Sequence, residues 1–289
     1  MTHAIRPVDF DNLKTMTYEV TGRIARITFN RPEKGNAIIA DTPLELSALV
    51  ERADLDPGVH VILVSGRGEG FCAGFDLSAY AEGSSSTGGG GAYQGTVLDG
   101  KTQAVNHLPN QPWDPMIDYQ MMSRFVRGFA SLMHADQVIA AADAKIGYPP
   151  TRVWGVPAAG LWAHRLGDQR AKRLLFTGDC ITGAQAAEWG LAVEAPEPAD
   201  LDERTERLVA RIAALPVNQL IMVKLALNSA LLQQGVATSR MVSTVFDGAA
   251  RHTPEGHAFV ADAVEHGFRD AVRRRDEPFG DYGRQASRV

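Results

Sequence analysis

A hydrophobic strand that follows a hairpin and a helix constrains the fold of this 289-residue chain more than any other feature. Residues Thr17–Phe29 (TYEVTGRIARITF) alternate apolar and polar side chains on either side of a Thr-Gly pair, which predicts two strands joined by a tight turn. From Asp41 the apolar spacing predicts a helix to about Ala53, and Val59–Ser65 (VHVILVS) predicts a strand buried on both faces. This strand-helix-strand order favours parallel pairing and an α/β fold.

Composition is that of an ordinary globular protein, 45% hydrophobic and 22% charged with a net charge of −5. The charge gives no general attraction to nucleic acid or to an anionic membrane, so we expect neither partner. No apolar run is long enough to span a bilayer or to act as a secretory signal, and we expect a cytoplasmic protein. Cys72 and Cys180 are too few for a disulfide framework and lack zinc-site spacing, so we expect free thiols and no metal.

Residues 95–102 (GTVLDGKT) match the phosphate-binding pattern G-x-x-x-x-G-K-[ST]. That loop works only where a buried strand enters it and a helix leaves it, because the phosphates rest on N–H groups of the helix N-terminus. Here the motif lies in a tract from Ala81 to Pro115 that is rich in Gly, Ser and Pro and cannot form a core. We therefore interpret the match as a loop that fits by chance, and an NTPase is disfavoured.

The rest of the sequence predicts mostly helices, and we expect subunits to assemble through the C-terminal third. We divide the whole chain into a core at residues 1–200 and a helical assembly region at residues 201–289. The predicted helices are Ile117–Leu132, Asp168–Phe176, the pair Leu201–Leu215 and Val217–Gln233 broken at Pro216, and a last helix Pro254–Arg275.

Residues 71–77 (FCAGFDL) follow the predicted strand, at the edge where parallel sheets bind ligands. Ala73 and Gly74 are small, so backbone N–H groups there can approach an anion or a polarised carbonyl oxygen. The alternative is a strand-to-helix turn in which Asp76 caps a helix, and the local sequence leaves both open. A cysteine hydrolase that uses Cys72 is a weaker interpretation, because no histidine is linked to it in sequence.

Five segments follow one another in a characteristic order: IARITFNRPEKGNAI, VHVILVSGRGEGFCAGFDL, ADAKIGYP, GVPAAGLWAHRLG and RLLFTGDCITGAQAAEWGLAVEA. As an ordered set they are similar to the enoyl-CoA hydratase/isomerase (crotonase) superfamily, over roughly residues 16 to 275. The resemblance implies an α/β fold, a crotonase-like spiral of ββα units with a helical C-terminal trimerisation region. It also implies an acyl-CoA thioester ligand, with CoA as part of the substrate and no separate cofactor, and a homotrimer or dimer of trimers.

Carried over residue by residue, the resemblance makes the N–H of Ala73 the first donor to the thioester oxygen in an oxyanion hole. It places Arg152 and Trp154 in a loop that borders the acyl pocket. Lys34 and Arg31 suit the phosphates of CoA, or are solvated loop charges. The residues expected to contact the CoA moiety are Glu33, Lys34, Gly35, Asn36, Ala73, Gly74, Phe75 and Asp76.

Two departures from the family pattern bear on catalysis. The chain runs directly from Leu132 to Met133, where the family has a strand, a glycine-rich turn, the second oxyanion donor and the first catalytic carboxylate. Pro150 stands at the position of the second carboxylate. Classical hydration, which needs an acid and a base, is therefore doubtful, and a non-catalytic binding or assembly protein is the alternative. The residues considered as substitutes are Asp76, Tyr148, Arg152 and His164.

Overall fold

A computed structural model of the protein describes residues 8–39, 41–74, 76, 97–98, 101–102, 135–156, 159–250, 253–284 and 286. The chain forms two compact units. The first comprises Met1–Asp76, Arg124–His134 and Leu208–Ile221, and the second comprises Leu77–Ser123, Ala135–Arg207 and Met222–Val289. The predicted helix Ile117–Leu132, the Leu132–Met133 junction and most of the glycine-rich tract lie outside the described residues. The boundary at residue 200 stays a prediction.

A three-stranded sheet is the centre of the first unit. Strand β1 (Met16–Thr21) pairs antiparallel with β2 (Ile24–Phe29), and β2 pairs parallel with β3 (Val61–Gly66). The predicted hairpin and the predicted parallel pairing are thus confirmed. The expected burial of both faces is wrong for β3, because all six of its residues are only half-buried.

Helix α1 (Asp41–Asp54) covers one face of this sheet, as the apolar spacing predicts. Five buried side chains join the two layers, and each one stabilises the fold by about 1.5–3 kcal/mol relative to exposure. The buried carboxylate of Glu45 accepts hydrogen bonds from the backbone N–H groups of Lys14 (2.7 Å) and Thr15 (2.9 Å), which fixes the chain entering β1. The five side chains are Met16, Ile27, Phe29, Leu46 and Leu49.

The remaining described elements are short strands and helices. Strands β4 (Val97–Leu98) and β5 (Lys101–Thr102) pair antiparallel, as do β6 (Lys145–Gly147) and β7 (Cys180–Thr182). The predicted helix at residues 168–176 and the break at Pro216 are confirmed. The helices are α2 (Ala159–Leu166), α3 (Asp168–Thr177), α4 (Gly183–Trp189), α5 (Leu201–Ala213), α6 (Val217–Gln233), α7 (Val236–Ala250), α8 (Pro254–His266) and α9 (Phe268–Asp276).

The last predicted helix is wrong as a single element. It is divided at Gly267 into α8 and α9, because Gly267 has φ 87° and ψ 147°, a conformation that no helix contains and that favours glycine. The apolar spacing continues on both sides of this residue, so periodicity alone does not reveal the break. Helix α7 is a further element that the sequence pattern did not predict.

Helix α7 has two buried polar side chains and four exposed apolar ones. Ser243 and Asp247 are 6% and 4% exposed, and they accept hydrogen bonds from the N–H groups of Ala159 (3.3 Å) and Val156 (2.9 Å). On α7 the apolar residues Met241, Val242, Val245 and Phe246 are exposed. Helix α6 has no buried residue, and five of its apolar side chains within the second unit are exposed: Met222, Val223, Leu225, Leu227 and Leu232.

No single helix in the described part of the chain is long and apolar enough to cross a membrane. One bent pair, Pro198–Ala213 followed by Val217–Gln233, satisfies the length and composition criteria only when its two helices are taken together, and the bend between them is 103°.

Candidate functional site

Asn36 fixes the loop after β3 against the turn after β2. Its side chain is buried, and its φ of 56° is a left-handed conformation that asparagine tolerates better than most residues. Nδ2 donates to the carbonyl oxygens of Arg67 (2.9 Å) and Gly70 (2.7 Å), while Oδ1 accepts from the Arg31 N–H at 2.9 Å. Asn36 was expected to contact a ligand. In the structure its side chain instead shapes the post-β3 loop, residues 67–76.

Backbone hydrogen bonds pair residues 35–38 with residues 73–76 in parallel. The Ala73 N–H donates to the Gly35 carbonyl at 2.9 Å, the Ile38 N–H to Gly74 at 2.8 Å, and the Asp76 N–H to Ile38 at 2.9 Å. The assignment of Ala73 as oxyanion donor is therefore corrected, because its N–H already has an internal acceptor. The pairing with residues 35–38 decides where the Ala73 N–H points, and the sequence FCAGFDL alone does not predict that pairing.

Arg31 and Asp76 form an ion pair that closes the same loop. Arg31 Nη2 lies 2.8 Å from Asp76 Oδ2, and Nη1 donates to the Ala37 carbonyl at 2.6 Å. Arg31 is therefore neither a solvated charge nor available for a CoA phosphate. Asp76 is likewise committed, and the residues that follow it, where a helix cap would act, lie outside the described part of the chain.

The outer rim of the post-β3 loop and its neighbouring turn is exposed. Glu33, Lys34 and Gly35 are all exposed, as residues that contact a ligand must be in the free protein. Arg67, also exposed, adds a second cation that the sequence analysis did not single out, although its place in GRGEG directly after β3 was a usable signal. Glu33 and Glu69 are exposed in the same loops and offset the positive charge. Phosphate binding here therefore depends on the positions of the Lys34 and Arg67 side chains rather than on net charge.

The thiol of Cys72 is poorly suited to nucleophilic catalysis. Burial raises its pKa, and a hydrogen bond from the Gly74 backbone opposes this effect without cancelling it. Because the thiolate is the reactive form, a raised pKa leaves the group protonated and inert at neutral pH. This agrees with the low rank that the sequence gives to a cysteine hydrolase.

The last two residues of the phosphate-loop match form a strand. Lys101 and Thr102 form strand β5, which pairs with β4 across a two-residue connection. In a phosphate-binding loop these two positions begin the helix whose N–H groups hold the phosphates. The structure therefore removes the context that an NTPase requires at this motif.

Arg152 was expected beside an acyl pocket, and the structure corrects this expectation. Its side chain is 3% exposed and pairs with Asp276 (3.0 Å) and Asp281 (2.7 Å), while Nε donates to the Thr177 carbonyl at 3.0 Å. Burial opposes the charge, but the hydrogen bonds with Asp281 and Asp276 outweigh it and raise the pKa of Arg152. The sequence could not reveal these partners, because they lie 124 and 129 residues away.

Trp154 also faces the interior of the second unit. Its ring meets Phe259 edge to face at 4.9 Å, next to Phe268 of α9, so it belongs to a hydrophobic cluster. Pro150 lies in a short 3-10 segment, Pro149–Arg152, where its backbone carbonyl accepts hydrogen bonds. It supplies no acidic side chain. His164, considered as a catalytic substitute, has Nδ1 2.8 Å from Gln234 Oε1 in an exposed hydrogen bond.

A polar cleft of about 600 Å³ lies in the second unit, between residues 194 and 207. Its two arginines are already paired, Arg204 with Glu194 at 2.7 Å and Arg207 with Glu203. The cleft contains none of the residues expected to bind a ligand, so it is not the candidate site. Within the described residues, no group of three or more His, Cys, Asp or Glu side chains is arranged to hold a metal ion.

Comparisons with known proteins identify the family of the chain. The family model for enoyl-CoA hydratase/isomerase matches residues 19–260. Hydroxycinnamoyl-CoA hydratase-lyase of Pseudomonas fluorescens is 30% identical over 203 residues, which are 69% of this chain and 72% of that protein. The 1,2-epoxyphenylacetyl-CoA isomerase of Escherichia coli is 27% identical over 210 residues, 72% of this chain and 79% of that protein.

Solved structures give the same result. Enoyl-CoA hydratase from Mycobacterium smegmatis is 78% identical with a TM-score of 0.87, over 98% of this chain and 100% of that chain. An enoyl-CoA hydratase/isomerase from Xanthobacter autotrophicus is 26% identical with a TM-score of 0.74, over 93% and 99%. The expected crotonase-like α/β fold is thus confirmed at the level of fold class. Since the family model matches well over half of its residues, the chain belongs to the enoyl-CoA hydratase/isomerase family.

Proposed function

We propose that the chain binds the thioester carbonyl of an acyl-CoA at the post-β3 loop and stabilises an enolate there. Family membership supports this, since the relatives named above include a hydratase-lyase and an isomerase of CoA thioesters. The observation that carries the proposal is the parallel pairing of residues 35–38 with residues 73–76, which holds small residues rigidly beyond the end of β3. A backbone N–H held in this way stabilises oxygen charge without having to reorganise.

The donor in this proposal is Phe75 rather than Ala73. Ile38 bonds to Gly74 on one side and to Asp76 on the other, so it pairs with the position between them. In a parallel pair, the N–H and C=O of the residue opposite such a position point away from the partner segment. Phe75 lies outside the described residues. Because the N–H groups of Ala73 and Asp76 already have internal acceptors, the proposal assigns the donor to Phe75.

The CoA moiety is proposed to run over the exposed rim, past Glu33, Lys34 and Gly35. Lys34 and Arg67 are the cations of this rim, and an ammonium or a guanidinium there suits a phosphate. Asn36, Arg31 and Asp76 support the binding surface from inside without contacting the ligand. Coenzyme A enters as part of the substrate, and no separate cofactor is proposed.

The proposed reaction is the enolate-forming step that hydratases and isomerases of CoA thioesters share. We favour an enzyme over a non-catalytic binding protein because the relatives are named as enzymes. Hydration itself should be slow, since Pro150 supplies no carboxylate and Asp76 is committed to Arg31. A general acid or base typically contributes about 10²–10⁴-fold, and such factors are not simply multiplied.

Assembly through the C-terminal helices, as a homotrimer or a dimer of trimers, completes the proposal. The apolar faces of α6 and α7 support it, because Leu225, Leu227 and Phe246 are 64%, 65% and 58% exposed. We propose that assembly covers these side chains, because a monomer rarely leaves a large apolar patch in water. A core of repeated ββα units is part of the same proposal and rests on the fold of the family.

Calorimetric titration of a 2-enoyl-CoA tests the proposal. Phe75→Pro removes the proposed N–H donor, whereas Phe75→Leu keeps it and serves as the matched control. We expect Phe75→Leu to bind like wild type and Phe75→Pro to bind the thioester at least about tenfold more weakly, with free CoA unaffected, since CoA lacks the carbonyl. No binding of enoyl-CoA to wild type, or equal binding to both variants, contradicts the proposal.

Loss of the enoyl absorbance reports the reaction on the same samples. We expect slow turnover in wild type and about 10²–10³-fold less in Phe75→Pro, the usual cost of one oxyanion donor. Rapid hydration by wild type means that other residues supply the acid and the base.

A further inference from the structure

Arg152 holds the segment that follows α9 in place. Its guanidinium contacts three residues of the segment 276–283, named here the C-terminal strap. Nη1 and Nη2 bind the two carboxylate oxygens of Asp281 at 2.7 and 2.8 Å, and Nη1 also binds Asp276 Oδ1 at 3.0 Å. The Phe279 ring centroid lies 3.9 Å from the guanidinium carbon, so cation and ring are stacked. One side chain thus binds the strap by ionic and aromatic contacts together.

The body of the second unit is shaped to receive this guanidinium. Nε donates to the Thr177 carbonyl at 3.0 Å, and Asp179 Oδ1 lies 3.7 Å from Nη2. Gly178 has φ 67°, and a Cβ there would lie 2.8 Å from Arg152 Cγ. A glycine is needed at this position both for its conformation and for the close approach of the arginine. The turn after α3 therefore packs closely against the Arg152 side chain and binds its guanidinium.

Further contacts attach the strap to the same body. Lys145 Nζ donates to the carbonyl oxygens of Asp281 and Gly283, the latter at 3.0 Å. Arg275 binds both oxygens of Asp276 at 2.7 Å. The side chains of Arg152, Asp276 and Asp281 are 3%, 8% and 0% exposed. Removal of one member leaves a buried charge without its counterion, which proteins tolerate poorly.

We propose that the C-terminal strap is a latch that docks and undocks as a unit, and that Arg152 is the residue which holds it closed. The Arg152 fork and the stacked Phe279 act on one short segment, so losing the guanidinium releases Asp276 to Asp281 together. Apart from Asp276, the last residue of α9, the strap consists of the short 3-10 segment Glu277–Phe279 and the turn that begins at Gly280, and it carries no strand, so it can leave while α8 and α9 keep their mutual packing. This latch is independent of the thioester-binding function proposed above.

Hydrogen exchange measured by mass spectrometry on the full chain tests the latch. In Arg152→Met we expect the amides of residues 276–283 to exchange at least about tenfold faster. Peptides covering β1 and β2 and those covering α8 should keep their wild-type rates. Arg204→Met is the matched control, since it removes an exposed ion pair between an arginine and a glutamate of the same unit. It should leave the exchange rates of the strap unchanged.

Two further variants keep the test decisive if Arg152→Met unfolds. Arg152→Lys retains the charge but cannot make the bidentate hydrogen bonds. We expect the amides of its strap to exchange at a rate between those of wild type and Arg152→Met. Phe279→Ala removes only the stacked ring and should speed strap exchange while leaving both carboxylate partners of Arg152 in place. Unchanged strap exchange in Arg152→Lys and in Phe279→Ala overturns the proposal. Equal acceleration of the strap and of α8 also overturns it, because the strap is then not a separate unit.

Discussion

The guanidinium of Arg31 lies 2.8 Å from the carboxylate of Asp76, with the two side chains 17% and 7% exposed. The pair connects the turn after β2 with the far end of the post-β3 loop, which are 45 residues apart in sequence. Asn36 connects the same turn with the near end of that loop. The backbone between these two anchors is therefore held at both ends, as a preorganised donor to a thioester oxygen requires.

Replacing Arg31 by Met should lower the free energy of unfolding by about 3 kcal/mol, because Asp76 then loses its cation while still buried. The double variant Arg31→Met/Asp76→Leu should recover part of this loss. Urea unfolding followed by circular dichroism measures both. Lys172→Met, which breaks an exposed pair with Asp168, is the control and should cost about 0.5 kcal/mol or less. If Arg31→Met and Lys172→Met lower the free energy of unfolding equally, the Arg31 pair does not anchor the loop.

Local periodicity predicted the first unit well. Strands β1 and β2, helix α1 and the parallel strand β3 all follow from apolar spacing over short windows, and the turns between them use residues that favour turns. The break at Gly267 was missed because α8 and α9 continue one apolar pattern across it. The surface-exposed apolar face of α7 was missed for a related reason, since its buried face carries serine and aspartate rather than apolar residues.

Side-chain roles were harder to predict than elements. The resemblance to a family placed the right loops together, but it could not show that the Ala73 N–H is taken by Gly35 or that Arg31 turns inward. Both facts depend on hydrogen bonds between segments roughly 40 residues apart. Arg152 is the extreme case, because its partners Asp276 and Asp281 belong to the chain end and no local signal connects them.

The buried thiol of Cys180 should make stability fall at alkaline pH. Burial raises its pKa from 9.0 to about 12. The unfolded chain then loses its proton near pH 9 while the folded chain keeps it, so stability is fully present below pH 9 and is lost between about pH 9 and 12. The loss is at most about 1.4 kcal/mol per pH unit. Comparing denaturant midpoints of wild type and Cys180→Ala across this range isolates the effect, and parallel pH profiles would contradict it.

ATP should not bind specifically at GTVLDGKT, because Lys101 and Thr102 lie on a strand and no helix N-terminus begins there. Calorimetric titration of ATP with Mg²⁺ against wild type and Lys101→Ala checks this. We expect no tight isotherm for either protein. Tight binding to wild type that Lys101→Ala abolishes would restore the NTPase interpretation.

Light scattering should show a trimer or a hexamer at micromolar concentration. Phe246→Glu places a charge on the exposed apolar face of α7 and should shift the protein toward monomer, because burying that charge at an interface is costly. Leu55→Glu is the control, since Leu55 is 74% exposed directly after α1 and away from this face in sequence. A wild-type monomer, or equal effects of the two substitutions, contradicts the proposed assembly surface.

The carbonyl stretching frequency of a bound acyl-CoA thioester, recorded by infrared difference spectroscopy with an isotope-labelled carbonyl, tests the central claim most directly. A hydrogen bond from the Phe75 N–H draws electron density onto oxygen and weakens the C=O bond. We expect the frequency to fall on binding to wild type and to Phe75→Leu, and to stay at its solution value with Phe75→Pro at saturating ligand. An unshifted carbonyl in saturated wild type, or the same shift in Phe75→Pro, would contradict thioester polarisation at the post-β3 loop.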